Sequence, residues 1–519
     1  ATGVTKAIDP ANGQTIGASP LDSSYRLPAL VASARRAQAD WAQRPVADRV
    51  RLLARIRDYL VDHVDDLTAV IARDNGKTRT EALATEIMPA AGAIAYYCRQ
   101  ADRFLRDRCP GPGLWLLANK RSRVRRVPYG VIGVISPWNY PFAIAFSEVV
   151  MGLLAGNAVV LKTATETQMA GLALKSAIDS AGLPKGLFSF VNLPGRIAGE
   201  AFLGAGIDKL FFTGSVLVGK ELMKRAAETL TPVCLELGGN DAMIVCADAD
   251  LDRAARGAVW AGFQNAGQSC GGVERIYVAS PVLDGFLDRL KRRVEALRVG
   301  PGSDFNVDMG AMTTLRQVDL VRSHVADALE KGAVRFATSR CPEGAAASHF
   351  HPAVVLTRVN HGMRVMAEET FGPVVGVMGV ADVDEAIGLA NDSQLGLTGS
   401  VWSRNARAAD RIARRIQAGV VTINDHLMSH GLPETPWGGF KNSGIGRTHG
   451  EIGFGEMTQP QVIVHDLLGS TPQNLWWQPY SRRLFDGLRG GHSVCFGKGR
   501  QRLGGLGPLI SILPKLFKR

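Results

Sequence analysis

The sequence predicts a doubly wound α/β protein with two lobes. Short apolar runs rich in β-branched residues recur along the chain, and amphipathic stretches such as 167–181 and 219–230 separate them. Strands that are apolar on both faces are typical of a parallel sheet covered by helices on each side, a class that commonly binds dinucleotides. The first five predicted strands are residues 129–136, 158–161, 187–191, 209–213 and 242–246.

The remaining elements follow from the same periodicity. Apolar residues spaced three and four apart predict helices over 29–41, 50–61 and 68–74. The strongly basic stretch 109–127 contains Pro and Gly, breaks the helical pattern and is interpreted as an excursion or a hairpin. A second alternating block after Glu236 has predicted helices at 251–264 and 281–298 and predicted strands at 275–279, 353–356, 374–380 and 419–423.

Composition argues against several classes of protein. The 519-residue chain is 46% apolar, enough for two or three domains with buried cores. It has neither an apolar run of about 18 residues nor an N-terminal signal pattern, so we expect neither secretion nor a membrane span. Its seven cysteines lack CxxC or Cys/His spacing. This argues against disulfides and bound metal, and favours a reducing, cytoplasmic location.

Most of the positive charge lies in residues 467–519, which we call the C-terminal extension. Nine Lys and Arg stand there against Asp486 alone, a net charge of +8 out of +12 for the whole chain. The rest of the chain is only mildly basic. We therefore expect no nucleic-acid partner, because the charge belongs to a tail without a recognition helix or an aromatic-studded sheet.

A cysteine among small residues is the first candidate for chemistry. Residues 265–271 read Asn-Ala-Gly-Gln-Ser-Cys-Gly and follow an amphipathic helix pattern, which leaves the Cys270 sulfur accessible. A cysteine considered alone is more often a buried structural residue. The assignment therefore depends on its companions.

Two further segments supply those companions. Glu236 stands between two leucines and before a glycine pair, and apolar surroundings raise a carboxyl pKa toward that of a general base. Asn139 stands between two prolines after an apolar run, a rigid place from which an amide can donate to an oxyanion. Taken singly, a packed Glu and an Asn that satisfies a turn explain these residues equally well.

Together these segments resemble the aldehyde dehydrogenase superfamily over most of residues 5–464. Further segments with the same resemblance follow in the same order: Phe212-Thr-Gly-Ser215 with Gly219, Glu368-Glu-Thr-Phe-Gly-Pro373 and Pro436-Trp-Gly-Gly-Phe-Lys-Asn-Ser-Gly444. The resemblance implies that Cys270 is the nucleophile, Glu236 the base and Asn139, with the backbone N–H of Cys270, the oxyanion donor. An aldehyde would be oxidised with NAD or NADP to a Cys270 thioester, which water activated by Glu236 hydrolyses to the free acid.

Two alternatives remain open. Relatives that pass the acyl group to coenzyme A typically lack Glu at the base position, so Glu236 favours hydrolysis over coenzyme A-dependent acylation. A catalytically silent, membrane-associated binding protein would be expected to have lost Cys270, Glu236 or Asn139, and the sequence retains all three.

The resemblance also implies cofactor contacts, although no complete GxGxxG motif follows a strand. Gly214, Ser215 and Gly219, in the segment that begins at Phe212, correspond to the turn that approaches the pyrophosphate. The nicotinamide ribose would be held by Glu369 and Phe371, and the nicotinamide end lined by Trp138 and Leu237. Ordinary packing is the alternative for a Gly-containing turn between strand and helix.

The adenosine end departs from the commonest pattern. Lys162 is retained, but Thr165 stands where NAD-preferring relatives often have Glu, and Arg196, in the segment Gly195 to Gly199, stands where Pro is frequent. A Glu would accept from a ribose hydroxyl and repel a 2′-phosphate, and Thr does neither strongly. We therefore expect NADP to be accepted as well as NAD. The alternative is that Arg196 is a solvated charge and Thr165 a neutral replacement.

Two other regions bear on the proton path and the substrate. Gln459 stands where many relatives have a second Glu, which argues against a proton relay through that position. No Arg is evident for a carboxylate-bearing substrate, so we expect an apolar or aromatic aldehyde. The substrate positions implied by the resemblance are Tyr140, Ile144, Ser147, Ser269, His426 and Ser429.

The expected domains are a cofactor-binding domain (1–108 and 128–235), a catalytic domain (236–430), a bridging β arm (109–127 and 447–466) and the extension (467–519). By the resemblance, the arm supplies strands exchanged in a homodimer or homotetramer. The extension combines cations with apolar residues, as at Trp476-Trp477 and 506–519, which suits peripheral contact with an anionic membrane. Packing on this subunit or its neighbour is the alternative, and Pro508 and Pro514 oppose one continuous amphipathic helix.

Overall fold

A computed structural model of the chain describes residues 3–302, 305–342 and 349–517. The residues group into two compact units: a larger unit of residues 1–104 and 128–457, and a smaller unit of residues 105–127 and 458–519. Two cations counted in the extension, Lys518 and Arg519, lie outside the described residues.

The strands, in chain order, are β1 Val4–Ile8, β2 Thr15–Pro20, β3 Lys120–Pro128, β4 Val131–Ile135, β5 Ala158–Lys162, β6 Phe188–Phe190, β7 Lys209–Thr213, β8 Val233–Glu236, β9 Asp241–Val245, β10 Val273–Ala279, β11 Val334–Thr338, β12 Val354–Thr357, β13 Val374–Val380, β14 Leu395–Gly396, β15 Thr398–Trp402, β16 Val420–Ile423, β17 Phe440–Lys441, β18 Gly444–Ile445 and β19 Thr458–Asp466.

The α-helices are α1 Leu27–Gln43, α2 Val46–Asp62, α3 Val64–Asn75, α4 Arg79–Ala82, α5 Met88–Leu105, α6 Ala143–Ala155, α7 Gln168–Asp179, α8 Gly195–Gly204, α9 Val216–Ala226, α10 Leu251–Phe263, α11 Leu283–Glu295, α12 Leu315–Glu330, α13 Arg364–Ala367, α14 Val383–Asn391, α15 Ala406–Ala413, α16 Gly450–Glu456, α17 Arg482–Phe496 and α18 Arg500–Ile512.

The first sheet of the larger unit contains a topological switch. Its parallel strands have the order β6-β5-β4-β7-β8, and β18 adds an antiparallel edge beside β8. The chain moves outward from β4 to β6 and returns on the other side of β4 with β7, so a crevice forms at the carboxyl ends of β4 and β7. Asn139 follows β4 and Ser215 follows β7. Two sequence-predicted segments therefore meet at this crevice.

The second sheet has the order β11-β12-β13-β10-β9-β15-β16. β11 is antiparallel to β12, and the other neighbouring pairs are parallel. Its buried aliphatic face packs against the apolar stripes of the surrounding helices, including α10, which leads directly to the Cys270 turn. The structure thus confirms the predicted class of two doubly wound α/β lobes, and β7 and β13 coincide with the predicted ranges.

The sequence prediction missed elements that lack a clear period. All thirteen residues of α6 are buried, so no polar face reveals the helix. The N-terminal hairpin of β1 and β2 precedes the first predicted helix, in a stretch for which no strand was predicted. β8 has four residues, too few to distinguish a strand from other apolar runs.

The smaller unit pairs β3 with β19 and packs α17 against α18. A Cβ at Gly490 would lie 2.5 Å from the Gly505 carbonyl oxygen, so the two helices approach closely where neither has a side chain. Of the two prolines expected to oppose one continuous helix, Pro508 does not, because α18 runs through it, whereas α18 ends at Ile512, two residues before Pro514. Pro508 lies on the exposed face, where a carbonyl without its intrahelical donor is open to solvent. No helix among the described residues is long and apolar enough to cross a bilayer.

Candidate active site

The turn that carries Cys270 follows α10. After Phe263 the chain passes through Asn265 and Ala266 with φ of 55° and 52°. The carboxylate of the buried Glu81 accepts the backbone N–H of Asn265 at 2.8 Å and fixes this bend. A Cβ at Gly267 would lie 2.1 Å from a neighbouring carbonyl oxygen, so the turn requires glycine there. The bend presents Cys270 to three cavities.

We call these cavities the cleft, the apolar cavity and the chamber. The cleft has a volume of about 790 Å³ and lies at the crevice of the first sheet. The apolar cavity has a volume of about 560 Å³, and the chamber about 350 Å³. Cys270 is the residue that lines all three, so a reagent entering any of them meets the thiol.

The Cys270 thiol is partly exposed, but its ionisation is opposed. Burial raises its pKa, and the charges of Glu369, Asp241 and Glu236 raise the pKa further. The sulfur is therefore a thiol in the free protein until a base removes its proton.

Glu236 ends β8 and lines both the cleft and the chamber. It is 5% exposed, and neither of its carboxylate oxygens accepts a hydrogen bond from a residue that the structure describes. Burial and then the charge of Glu148 raise its pKa well above the ordinary value, and Arg447 opposes this shift. Once ionised, such a carboxylate takes up a proton readily, as a general base must.

Asn139 lines the cleft beside Cys270 and is 2% exposed. One N–H of its side-chain amide donates to the Gln268 carbonyl oxygen at 3.1 Å, which leaves the second N–H for another acceptor. Its backbone carbonyl accepts from Asn265 Nδ2 at 2.9 Å and from Lys77 Nζ at 3.0 Å. This loop is held firmly enough to aim the amide at an oxyanion formed beside Cys270.

Lys77 belongs to a fully buried ion pair. Its Nζ lies 2.6 Å from Glu86 Oε1, and neither side chain has exposed surface. The other Glu86 oxygen accepts the backbone N–H of Phe142 at 3.0 Å and of Ala143 at 2.8 Å, at the start of α6. The pair therefore joins the Asn139 loop and α6 to residues 77–86.

Six of the sequence-predicted cofactor residues lie together in the cleft. The rings of Trp138 and Phe371 pack edge to face, with their centroids 5.4 Å apart and their planes at 90°. Glu369 accepts the Gly239 N–H at 3.0 Å, and a Cβ at Gly238 would lie 2.2 Å from Glu369 Oε2. The six are Trp138, Gly214, Ser215, Leu237, Glu369 and Phe371.

The cleft fits a dinucleotide. Ser215 caps α9 by accepting the Val218 N–H at 3.4 Å, so the positive end of an eleven-residue helix starts at the cleft wall. Space for a nicotinamide lies between this wall and Cys270. In contrast, no cluster of three or more His, Cys, Asp or Glu side chains in the described part of the chain suits a metal ion.

The predicted adenosine residues lie outside the set that lines the cleft. Lys162 ends β5, where burial lowers its pKa and Glu166 opposes the shift. A Cβ at Gly195 would lie 3.8 Å from Lys162 Nζ, so these two are neighbours. Arg196 is exposed in the first turn of α8, and Thr165 begins the short 3-10 turn after β5.

Three other predicted cofactor residues are packed inside the lobe. A Cβ at Gly219 would lie 2.6 Å from the Leu237 side chain, and a Cβ at Gly199 would lie 2.1 Å from Leu222. Phe212 is buried with its ring against Gly214. The geometry therefore favours the packing alternative for both glycines, and Gly219 acts on the cleft through Leu237.

The apolar cavity differs in part from the expected substrate positions. Tyr140, Ile144 and Ser269 line it, but Ser147 lines the chamber instead. His426 is buried with its Nε2 3.0 Å from the Gly271 carbonyl oxygen, and Ser429 is also buried away from the cavity. Leu427 has φ of 73°, which turns the loop and brings other residues to the cavity.

Sequence reasoning missed residues contributed by distant segments. The apolar cavity is also lined by Trp260, Leu427, Met428, His430 and Trp437, and no lysine or arginine is among its described lining residues. In the cleft, Arg316, Gln317 and Leu320 come from α12. Gln317 donates to the carbonyl oxygens of Thr370 and Phe371 at 3.0 and 3.2 Å. Of these lining residues, only Trp437 lies in one of the motif segments that carry the family resemblance.

Comparison with known proteins gives a consistent set of relatives. Residues 1–463 match the model of the Aldehyde dehydrogenase family. The chain is 39% identical to the 4,4'-diapolycopene aldehyde oxidase of a Methylomonas species, over 95% of this chain and 91% of that protein. It is 37% identical to a Mycobacterium ulcerans protein provisionally named succinate-semialdehyde dehydrogenase [NADP(+)] 2, over 89% and 88% of the two chains. The crystal structure of a Staphylococcus aureus betaine aldehyde dehydrogenase with NAD+ matches with a TM-score of 0.86, at 30% identity over 92% and 94% of the chains.

Replacing Lys77 by Met is expected to destabilise the larger unit by about 3–5 kcal/mol, because the buried Glu86 carboxylate then lacks its counter-charge. The measurement is the urea midpoint of tryptophan fluorescence, converted with the denaturant slope. Lys175→Met is the matched control, since it breaks an exposed pair with Asp179 that contributes less than about 1 kcal/mol. Equal midpoints for the two variants would contradict the role assigned to the buried pair.

Proposed function

The chain belongs to the aldehyde dehydrogenase family, and on that premise we propose that Cys270, Glu236 and Asn139 carry out its reaction. The enzyme oxidises an aldehyde to a carboxylic acid with NAD or NADP. The observation that carries the assignment of residues is that Cys270 lines all three cavities while the unpartnered Glu236 carboxylate lines two of them.

The first half of the reaction acylates Cys270. Glu236 takes the thiol proton, and the sulfur attacks the aldehyde carbon from the side of the apolar cavity. Asn139 Nδ2 and the Cys270 backbone N–H donate to the oxygen that becomes negative, an arrangement worth about 3 kcal/mol per donor in related oxyanion sites. Trp138, Glu369 and Phe371 would hold a nicotinamide in the cleft, and it would supply the hydride acceptor. A thioester on Cys270 remains.

The second half releases the acid. Glu236 removes a proton from a water molecule in the chamber, the hydroxide adds to the thioester carbon, and the sulfur leaves as the thiolate. This step needs an ionised Glu236. Because the pKa of that carboxyl is raised, the step becomes fast only at higher pH. Transfer to coenzyme A is the alternative, and the position of Glu236 beside the thiol favours water.

We propose that NADP is accepted as well as NAD. Lys162 and the exposed Arg196 bring two cations to the carboxyl ends of β5 and β6, and Thr165 adds no carboxylate to repel a 2′-phosphate. A Mycobacterium ulcerans relative carries NADP(+) in its name, and a Staphylococcus aureus relative binds NAD+.

We propose an apolar or aromatic aldehyde as the substrate. The described lining of the apolar cavity offers aromatic and aliphatic side chains, and burial lowers the pKa of His430 to about 4, so this histidine is neutral there. The Methylomonas relative is named for a diapolycopene aldehyde, which agrees with an apolar cavity. The name succinate-semialdehyde implies a carboxylate, for which the described lining supplies no cation.

A homodimer or homotetramer is proposed for the assembly. β3 and β19 form a two-stranded sheet, in which Arg108 bridges β3 at Val124. Among the described residues no strand other than β3 pairs with β19, so the outer edge of β19 is available for a strand from a second copy. Val462 and Val464 on β19 are more than half exposed, which suits burial between subunits.

We further propose that the extension contacts an anionic membrane surface, which would place the enzyme beside apolar substrates. Opposite the face of α18 that packs on α17, an apolar stripe at spacings of three and four residues continues past the helix end, and each member is at least 40% exposed. The stripe consists of Leu503, Leu506, Ile510, Leu513 and Phe517.

Charge favours lipid over a second copy as the occupant of this stripe. Residues 467–517 carry seven Lys and Arg against Asp486, so two such surfaces repel each other, whereas anionic headgroups attract them. Trp476, Trp477 and Tyr480 are exposed in the same unit and suit a membrane interface.

Glu236→Gln is expected to lower the steady-state rate at least about a hundredfold, because the thiol and the water both lose their base. At high pH, where the thiol ionises without that base, the variant should accumulate the thioester. Intact-protein and peptide mass spectrometry after mixing with aldehyde and cofactor locate the acyl group. Glu228→Gln, an exposed change, serves as the control and keeps full turnover. An adduct on another residue, or full turnover by Cys270→Ala, would rule out these roles.

Arg196→Ala is expected to lower kcat/KM for NADP about tenfold and to leave the value for NAD nearly unchanged, because the 2′-phosphate loses a cation. Steady-state kinetics with both cofactors measure this, and Lys185→Ala is the exposed-cation control. A hundredfold preference of the native enzyme for NAD would refute the NADP proposal.

Full-length protein is expected to sediment with phosphatidylcholine vesicles that contain phosphatidylglycerol, and less with phosphatidylcholine alone. The double change Leu503→Asp and Ile510→Asp removes the stripe and should abolish sedimentation, whereas Leu230→Asp, at an exposed leucine of the larger unit, should not. Equal sedimentation of all variants would refute membrane contact, and a smaller oligomer for the double variant alone would assign the stripe to a second copy.

A further inference from the structure

The chamber contains a second buried carboxyl group that the mechanism above does not use. Glu148 lies on α6, is 2% exposed and lines the chamber together with Glu236 and Cys270. α6 is buried and apolar on nearly every side, and Glu148 is its one charged residue. A buried carboxyl group without a counter-charge costs folding energy, so its presence beside the chamber suggests a role other than packing.

Several polar atoms around the chamber have no partner. Glu148 Oε2, both carboxylate oxygens of Glu236, Thr213 Oγ1 and His449 Nδ1 make no hydrogen bond to any described residue. Such a set fits a small volume of water between two carboxyl groups, because each atom needs a donor or an acceptor that the protein does not supply.

The charges facing the chamber leave the two carboxyl groups poorly compensated. Glu148 and Glu456 both oppose the ionisation of Glu236, and Arg447 favours it. Glu456 is engaged by Lys209 Nζ at 2.5 Å. Burial lowers the pKa values of His430 and His449, so both rings are neutral at pH 7. Tyr97, Cys234 and Cys270 are further titratable groups near the chamber, and burial raises the pKa of each.

We propose that Glu148 and Glu236 form a coupled carboxyl pair that shares one proton across the chamber, so that Glu148 is a positioning residue that sets the pH at which Glu236 becomes basic. This inference rests on the proposed role of Glu236 as the base. Two carboxylates in one buried chamber repel each other, so the second proton leaves only at a higher pH than the first.

The direction of the effect follows from the order of ionisation. Burial raises the pKa of Glu148 to about 8, and its negative charge then raises the pKa of Glu236 further. Removing the Glu148 charge while keeping the side-chain shape should therefore let Glu236 ionise at a lower pH. A purely structural role for Glu148 would lower the rate at every pH and leave the midpoint in place.

The test is a single-turnover measurement of acid release. Excess enzyme is mixed with aldehyde and cofactor at each pH, cofactor reduction marks acylation, and the rate of the acid release that follows is plotted against pH. For Glu148→Gln the midpoint should fall by about one pH unit. Glu148→Asp keeps the carboxyl group and should restore a midpoint near the native one, and the exposed change Glu228→Gln should leave it unmoved.

An unchanged or higher midpoint in Glu148→Gln would overturn the pair. If that variant does not fold, Glu148→Ala carries the same test, and the native profile is itself diagnostic, because a coupled pair rises over a wider pH range than a single ionisation. Hydrolysis that persists in Glu236→Gln would instead overturn the proposed function, so the two failures are distinguishable.

Discussion

The buried ion pair of Lys77 and Glu86 is the constraint on which the site depends. Lys77 holds the carbonyl of Asn139, and Glu86 caps the start of α6. One interaction thus fixes both the amide that faces the cleft and the helix that carries Glu148 into the chamber. Its desolvation is offset by further contacts: Lys77 Nζ also donates to the Asn139 carbonyl and lies over the Tyr140 ring, and Glu86 Oε2 accepts two backbone N–H groups.

Near this ion pair, the site contains several buried carboxyl groups. Glu236, Glu369 and Asp241 are buried and oppose the ionisation of Cys270. Such an arrangement costs stability, since a buried carboxylate without a partner is unfavourable. It is useful at an acyl-transfer site because a carboxylate that holds protons strongly is an effective base for both the thiol and the water.

Local signals made much of this predictable. The strands of both lobes appear as continuous apolar runs. Cys270, Glu236 and Asn139 each lie in a short motif that can be recognised from neighbouring residues alone. α6 could not be recognised, because a helix buried on every side has no period to detect. Glu148 was missed with it.

Residues that depend on distant contacts were beyond sequence reasoning. Leu427 adopts a positive φ, and the loop that follows it brings His430 to the apolar cavity. His426, just before this turn, lies against the Gly271 carbonyl instead. Gly219 and a pyrophosphate-binding glycine look alike in sequence, and the nearby Leu237 side chain reveals the packing role. Arg316 comes from α12, which no motif marked.

Burial, and then the surrounding carboxyl groups, keep Cys270 protonated until catalysis begins. The most direct measurement is the pH dependence of Cys270 alkylation by iodoacetamide in the cofactor-free protein, followed by the mass of the Cys270 peptide. We expect a midpoint clearly above that of a free cysteine. A midpoint below that value would show a thiolate stabilised by positive charge and would contradict it.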